Sequence, residues 1–108
     1  MDISVTARHV EITDSMAEFT REKVSRLGRL YDRIEDIHVL VDRSGQQFRV
    51  EIVVRTDHKH TFVAQVDADK FHESVDLAID KMERQLREYK EKLRNRKHQP
   101  GHMPTPGM

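Results

Sequence analysis

The side chains with the clearest chemical potential in this sequence are Lys and Arg residues in two segments. Residues 81–97 hold eight Lys and Arg against three Glu, and residues 21–33 hold five against two acids. Such cations contact phosphate oxygens and displace the counterions of a nucleic acid, which gives affinity with little reading of bases. We therefore expect the two segments to bind a polyanion, although the formal net charge of the whole chain is zero.

Residue types that catalyse reactions or bind metals form no recognisable site in the sequence. The chain has no Cys, which excludes thiol nucleophiles, disulfides and thiolate zinc sites. Its four Gly residues are scattered, so no glycine-rich phosphate loop is present. His58 and His60 have ligand-like spacing without an identifiable third ligand, and Asp76 and Asp80 are interpreted as solvated charges near a helix start. The sequence predicts a protein that is not an enzyme and that uses no metal, cofactor or small-molecule substrate.

The basic segment at 81–97 also permits a purely structural interpretation. In pairs such as Glu83–Arg87 and Glu88–Lys92 the opposite charges are four residues apart, so each pair can stabilise a helix whose charged face lies in water. A second basic run on another helix of the same layer favours polyanion binding instead, because the two runs can form one continuous basic surface. That second run consists of Arg21, Lys23, Arg26, Arg29 and Arg33.

Two amphipathic helices must position these cations. Apolar residues recur at steps of three and four over 16–31 and over 71–93, which is the stripe of a helix that packs on one side. Thr13 is predicted to cap the start of the first helix. Gly28 is unfavourable inside that helix, which either tolerates it or frays before Asp32.

Four segments alternate apolar and polar side chains and predict strands. They lie at 3–7, 37–41, 48–54 and 60–66. Short turns join the last three strands into antiparallel hairpins, whereas the helical crossover makes the first pair parallel. Each strand has one strongly apolar face, so both helices pack on the same side of the sheet. The predicted fold class is α+β, a two-layer β-α-β-β-β-α sandwich with a four-stranded sheet and both helices on one face.

The length of 108 residues corresponds to a single domain. We expect this domain to span residues 1–97 and a Pro- and Gly-rich tail at 98–108 to be disordered. No apolar stretch is long enough to span a bilayer, and the first residues lack a signal-peptide pattern. The expectation is a cytoplasmic protein that does not associate with membranes.

Five stretches of the chain carry a family resemblance. They are ISVTARHVEIT at 3–13, EKVSRL at 22–27, YDRI at 31–34, VDLAIDKMERQL at 75–86 and YKEKLR at 89–94. Together they resemble the ribosome hibernation-promoting factor and ribosome-associated inhibitor family, also called the sigma-54 modulation protein family. The last two are similar to its most specific motif, the AID…DKLxRQLxKxKxKL helix. The resemblance covers residues 1 to about 95, and it implies the same β-α-β-β-β-α fold.

The resemblance implies a stress or stationary-phase factor that binds the small ribosomal subunit between head and body, over the decoding A and P sites. Members there block messenger RNA, transfer RNA and initiation factors, and some promote pairing of ribosomes. The residues at basic positions of the family motif, for which the resemblance implies contacts with ribosomal RNA, are Lys23, Arg26, Lys81, Arg84, Lys90, Lys92 and Arg94. Arg8 and Arg29 match positions that are often basic or near the RNA.

The chain departs from the family pattern at a few positions. Ala7 stands where the family often has Gly, Glu88 stands where a basic residue is frequent, and 72–74 replaces the usual opening of the last helix. None of these changes removes the basic set. The chain resembles a short form without the C-terminal dimerisation domain of long members, and we expect a monomer in solution.

Two other functions stay open. The solvent-facing side of the sheet could make the chain a protein-interaction module that modulates a transcription or regulatory factor. The β-β-β-α portion is also similar in topology to a general double-stranded RNA binder. Tyr31 and Tyr89 fall near the apolar stripes, so we expect them to pack rather than stack on bases, which favours a structured RNA read by shape.

Overall fold

A computed structural model describes residues 1–57 and 59–98, with side chains as far as Asn95 in the last helix. His58 of the candidate His pair lies outside the described residues, as does all of the predicted tail at 98–108 except His98. The boundary placed after residue 97 and the disorder of the tail therefore stay predictions.

The described residues form one four-stranded sheet and a helical layer. In chain order the elements are β1 (Asp2–Ala7), α1 (Asp14–Ser25), α2 (Leu27–Leu30), β2 (Ile34–Ser44), β3 (Gln47–Thr56), β4 (Thr61–Ala68) and α3 (Phe71–His98). The strands lie in the order β1-β2-β3-β4, with β1 parallel to β2 and the other pairs antiparallel. The predicted α+β fold and its β-α-β-β-β-α order are confirmed, with the first helical segment divided into α1 and α2.

The first helical segment begins where its capping residue predicts and is interrupted at Arg26. Thr13 Oγ1 accepts a hydrogen bond from the backbone N–H of Met16 at 3.1 Å, so Thr13 caps α1 as predicted. Gly28 lies inside α2, so the helix tolerates it. A Cβ at Gly28 would lie 3.2 Å from Cε of Met1, so glycine lets the Met1 side chain pack closely there.

The core lies between the helices and one face of the sheet. Val24 of α1, Ile52 of β3 and Met82 of α3 are each 0% exposed and show that both helices and the sheet contribute side chains to the core. Branched apolar residues at alternate strand positions pack against the apolar stripe of α3. Strands place every second side chain on one face, and helices repeat every 3.6 residues, so each element presents one apolar side to the core. This packing fixes which sides of α1 and α3 are left to solvent and therefore where their cations lie.

The other face of the sheet is polar, and no helix among residues 1–57 and 59–98 covers it. Two cross-strand ion pairs lie on it: Arg49 Nε is 2.9 Å from Asp67 Oδ1, and Arg55 is 3.0 Å from Asp36 Oδ2. Val63 interrupts this polar surface, with 47% of its area exposed. Within the described part of the chain, no helix is long and apolar enough to cross a membrane.

Candidate nucleic-acid interface

Helix α3 turns one flank toward α1 and α2. Near its start, Asp76 Oδ1 lies 3.2 Å from Nζ of Lys23 on α1. Further along, Lys90 Nζ donates a hydrogen bond of 3.2 Å to the carbonyl oxygen of Leu30, the last residue of α2. Arg94 follows Lys90 by one helical turn and so shares this flank. These contacts place Lys90 and Arg94 beside α2.

The opposite flank of α3 lies against the edge strand β4. Lys81 Nζ donates a hydrogen bond of 2.9 Å to the carbonyl oxygen of Gln65, and Gln85 Nε2 donates one of 2.8 Å to that of Val63. Lys92 lies three helical turns after Lys81 and is on the same side. Lys81 and Lys92 are therefore separated from Lys90 and Arg94 by the width of the helix.

The groove between α1 and α3 has mixed charge. It has a volume of about 300 Å³ and is lined by Lys23, Arg26, Asp76, Ile79, Asp80 and Glu83. The predicted basic surface concerned residues 21–33 and 81–97, and the sequence did not show that the helical repeat places these three acids on the flank that faces α1. Asp76 was expected to be only a solvated charge, whereas it pairs with Lys23.

The second half of α3 and the α1–α2 junction carry the basic surface instead. From Arg84 to Asn95, α3 has five Lys and Arg against Glu88 and Glu91. Helix α2 packs on α3, and the Lys90–Leu30 hydrogen bond brings Lys90 next to Arg29. We call this region the basic end, which comprises Arg26, Arg29, Arg84, Arg87, Lys90, Lys92 and Arg94.

Four cations of the basic end are exposed and make no ion pair or side-chain hydrogen bond within the described residues. They are Arg26, Arg29, Arg84 and Lys92. Arg94, by contrast, donates to both carboxylate oxygens of Glu91 at 3.2 Å, and Lys90 uses one of its three donors on α2. The four free cations are thus the most available for phosphate oxygens.

Two predicted contact residues are already engaged elsewhere in the fold. Lys81 is bound to the edge of β4, and Lys23 pairs with Asp76 while its ammonium lies 5.4 Å from the centre of the Phe19 ring. Lys23 is only half-buried, so this pair is a modest contribution to stability. Each ammonium keeps donors that a phosphate could share, but neither is free to move without losing a contact.

Arg8 is not brought to the basic end. Its Nε lies 3.4 Å from Asp42 Oδ2, at the ends of β1 and β2. Asp42 also contacts Nδ1 of His9 at 3.0 Å, and the pKa of its carboxyl is lowered, first by the backbone N–H of Arg43 and then by His9. This end of the sheet adjoins the start of α3, where Phe48 contacts Phe71. Lys90 lies about 28 Å further along that helix.

No group of three His, Cys, Asp or Glu side chains that could hold a metal ion occurs among residues 1–57 and 59–98. The described part of the chain therefore offers no metal centre to explain the arrangement of its cations. What the basic end can do chemically is bind and orient anionic groups.

Comparison with known proteins gives one consistent result. Residues 3–94 match the family described as Sigma 54 modulation protein / S30EA ribosomal protein. A ribosome hibernation promoting factor of Azotobacter vinelandii is 28% identical over 108 residues, covering 98% of this chain and all of that protein. One from Escherichia coli strain K12 is 30% identical over 100 residues, covering 87% of this chain and 98% of that protein.

Solved structures agree with these sequence relatives. A ribosomal subunit interface protein from Coxiella burnetii superposes with a TM-score of 0.77 at 31% identity, covering 83% of this chain and 98% of that one. The N-terminal domain of Thermus thermophilus Protein Y superposes with a TM-score of 0.73 at 26% identity, covering 82% of this chain and 99% of that one.

Proposed function

Because the chain belongs to the Sigma 54 modulation protein / S30EA ribosomal protein family, we propose that it is a ribosome hibernation factor of the cytoplasm. It binds the small ribosomal subunit near the decoding A and P sites. There it blocks messenger RNA, transfer RNA and initiation factors, and so inhibits translation under stress or in stationary phase. The names of its relatives, ribosome hibernation promoting factor and ribosomal subunit interface protein, support ribosome binding.

The observation that carries the proposal is the set of four exposed cations at the basic end that have no ion pair or side-chain hydrogen bond within the described residues, Arg26, Arg29, Arg84 and Lys92. A cation without an internal partner gives up no contact when it meets a phosphate, and it releases a condensed counterion as it does so. Several such contacts, spread around the second half of α3 and the α1–α2 junction, give affinity that depends strongly on salt and little on sequence.

The proposed mechanism is occupancy and needs no covalent step. The sheet and core hold α2 and α3 in a fixed relation, so only the side chains of the cations, and not the helices that carry them, have to be ordered when RNA binds. The hydrogen bond from Lys90 to Leu30 contributes to this order at the basic end itself. Once bound, the bulk of the domain excludes other ligands from the same site.

The acids Asp76, Asp80 and Glu83 restrict how RNA can lie on the domain. Phosphates are repelled from the first half of α3 and attracted to the second half. We therefore propose that RNA contacts run along the second half of α3 and the α1–α2 junction. Lys23 and Arg8, which lie outside the basic end, then contribute less than the sequence alone suggested.

Binding to separated subunits tests this proposal. Purified small and large subunits are titrated with the protein at low salt, with duplex RNA as competitor. The expected result is tight binding to the small subunit that duplex RNA displaces poorly, together with loss of transfer RNA binding to that subunit. Preferential binding to the large subunit, or equal binding to any duplex RNA, would contradict it.

The second candidate function is a protein-interaction module that modulates a transcription or regulatory factor. The observation that favours it is the face of the sheet that no helix among the described residues covers, on which Val63 is 47% exposed. Changing Lys81, Arg84, Lys90 and Lys92 to Glu separates the two functions. Ribosome association is then lost if the basic surface acts on RNA, whereas a partner of the sheet face still binds.

A further inference from the structure

An exposed histidine lies on an aromatic pair beside the basic end. The His60 ring centre is 4.6 Å from that of Phe62 and 4.7 Å from that of Tyr89, with interplanar angles of 34° and 35°. Phe62 and Tyr89 are themselves 5.1 Å apart. The imidazole thus packs against both rings. Since His60 is nevertheless exposed, part of its ring remains open to solvent.

Tyr31 extends this aromatic pair into the core and makes it rigid. The Tyr31 and Tyr89 rings meet edge to face with centres 5.8 Å apart, and Tyr31 is only 4% exposed. Phe62 is buried as well, at 8%. The backbone of His60 is held as well, because Thr56 donates its backbone N–H to the carbonyl oxygen of His60 at 3.0 Å. The two ring contacts and this backbone hydrogen bond together favour one position of the imidazole.

One exposed cation lies near this surface, on α3. Lys59 precedes His60 in the β3–β4 turn, but it lines a pocket with Glu35, Arg55 and Thr61 on the polar side of the sheet. Helix α3 runs antiparallel to β4, with Gln85 opposite Val63 and Tyr89 against Phe62. Continuing this register by one helical turn places Lys92 beside the beginning of β4, next to the turn. Neither Lys59 nor Lys92 has a side-chain partner within the described residues.

We propose that the exposed imidazole of His60 stacks on one unpaired base of the bound RNA, while Lys92 contacts a neighbouring phosphate. This inference rests on the proposed function, because it requires an RNA partner. Aromatic rings, including histidine, bind splayed-out bases of single-stranded RNA in this way, and neighbouring cations bind the backbone. The sequence argued against base stacking because it considered only the two tyrosines, which do pack inward.

A protein ligand fits this site less well than a base does. The site combines one flat, exposed aromatic ring with one flexible cation, Lys92, which belongs to the basic end. An apolar peptide anchor needs a pocket that encloses it, whereas here the imidazole stands exposed on the surface. The chemistry is that of a single nucleotide within a longer strand.

The test is the affinity for ribosomes of His60→Ala, His60→Phe and the matched control His72→Ala, each over a series of salt concentrations. His72 is also exposed and lies against an aromatic ring, 4.3 Å from Phe19, but at the start of α3. We expect His60→Ala to weaken binding by about fivefold to a hundredfold. His60→Phe and His72→Ala bind as the unchanged protein does. Thermal unfolding shows whether each variant is folded.

Salt dependence and base probing separate stacking from a charge effect. His60→Ala lowers affinity without changing the slope of log affinity against log salt. Lys92→Met removes one phosphate contact and so reduces the magnitude of that slope by about one. Base-specific chemical probing should show one ribosomal RNA base that the unchanged protein protects and that His60→Ala leaves exposed.

The stacking proposal is wrong if His60→Ala binds as tightly as the unchanged protein, or if His60→Phe loses as much affinity as His60→Ala. Either result leaves the proposed binding to ribosomes unaffected. If the unchanged protein does not bind ribosomes at all, the proposed function and the stacking site fail together.

Discussion

The ammonium of Lys90 on α3 donates a hydrogen bond to the carbonyl oxygen of Leu30, which ends α2, at 3.2 Å. A helix leaves its last carbonyls without intrahelical partners, and a cation near that end also interacts favourably with the helix dipole. α2 has only four residues, so this contact helps to hold it in place. Lys90 therefore has two roles in this account, one in the fold and one toward RNA.

The double role of Lys90 predicts a difference between two otherwise similar variants. Lys90→Met and Lys92→Met each remove one cation from the second half of α3, so each should reduce the salt slope of ribosome binding by about one. Only Lys90→Met also removes the hydrogen bond to α2, which should lower the free energy of unfolding by up to about 1 kcal/mol. Urea unfolding measures the difference, and equal stability of the two variants would show that the α2 contact is not formed in solution.

Lys81 and Gln85 cover outward carbonyls of the edge strand β4, at Gln65 and Val63. An uncovered strand edge pairs with other chains. The double variant Lys81→Met with Gln85→Leu should therefore self-associate with increasing concentration, as light scattering would detect. The control replaces one cation by Met and one Gln by Leu far from this edge, as Arg21→Met with Gln46→Leu. If both double variants stay equally monomeric, the two side chains do not protect the edge.

The Arg49–Asp67 pair predicts that the fold loses stability in acid. The hydrogen bond from Arg49 is the main cause that lowers the pKa of the Asp67 carboxyl. Because the folded pKa lies below the unfolded value, the pair stabilises the fold above about pH 4, and this contribution is lost as the pH falls through the folded pKa. Asp67→Asn should be less stable than the unchanged protein at pH 7 and equally stable in strong acid. A pH-independent difference in urea midpoint would contradict this.

The Tyr31 hydroxyl is buried and has no hydrogen-bond partner among the described residues. Burial is the main cause that raises the pKa of this hydroxyl above its ordinary value. The neutral hydroxyl is compatible with burial, so the fold keeps its full stability below about pH 10. Stability is lost as the pH rises through the folded pKa, because the phenolate is disfavoured inside the protein. Tyr31→Phe should be at least as stable as the unchanged protein at pH 7 and lose less stability above pH 10. A loss of about 1 kcal/mol at pH 7 would show that the hydroxyl has a partner.

Local patterns predicted most of the fold because each of them acts over a few residues. Alternation identified all four strands, and steps of three and four identified both helical segments. Thr13 predicted the start of α1, because its side-chain oxygen accepts a hydrogen bond from a backbone N–H that has no partner within the helix. The interruption at Arg26 was missed, since no residue in that stretch is a strong helix breaker apart from Gly28, which α2 accommodates.

The candidate site was less predictable, because it depends on how elements far apart in sequence pack together. The sequence identified the basic residues, but it could not show that Asp76 pairs with Lys23 or that three acids line the groove between α1 and α3. That arrangement follows from the rotation of α3 on the sheet. The strand predicted at 60–66 begins one residue later, at Thr61, and the sequence could not show that His60 lies exposed on Tyr89.

The central claim is that the free cations of the basic end bind ribosomal RNA. Its most direct test is co-sedimentation with ribosomes on sucrose gradients over a series of salt concentrations. The unchanged protein is compared with a variant in which Arg26, Arg29, Arg84 and Lys92 are replaced by Gln and whose fold is checked by circular dichroism. We predict that the unchanged protein migrates with the small subunit or whole ribosomes and is released as salt rises, whereas the variant is released at much lower salt. An unchanged protein that stays at the top of the gradient at low salt, or a variant released at the same salt, would contradict the claim.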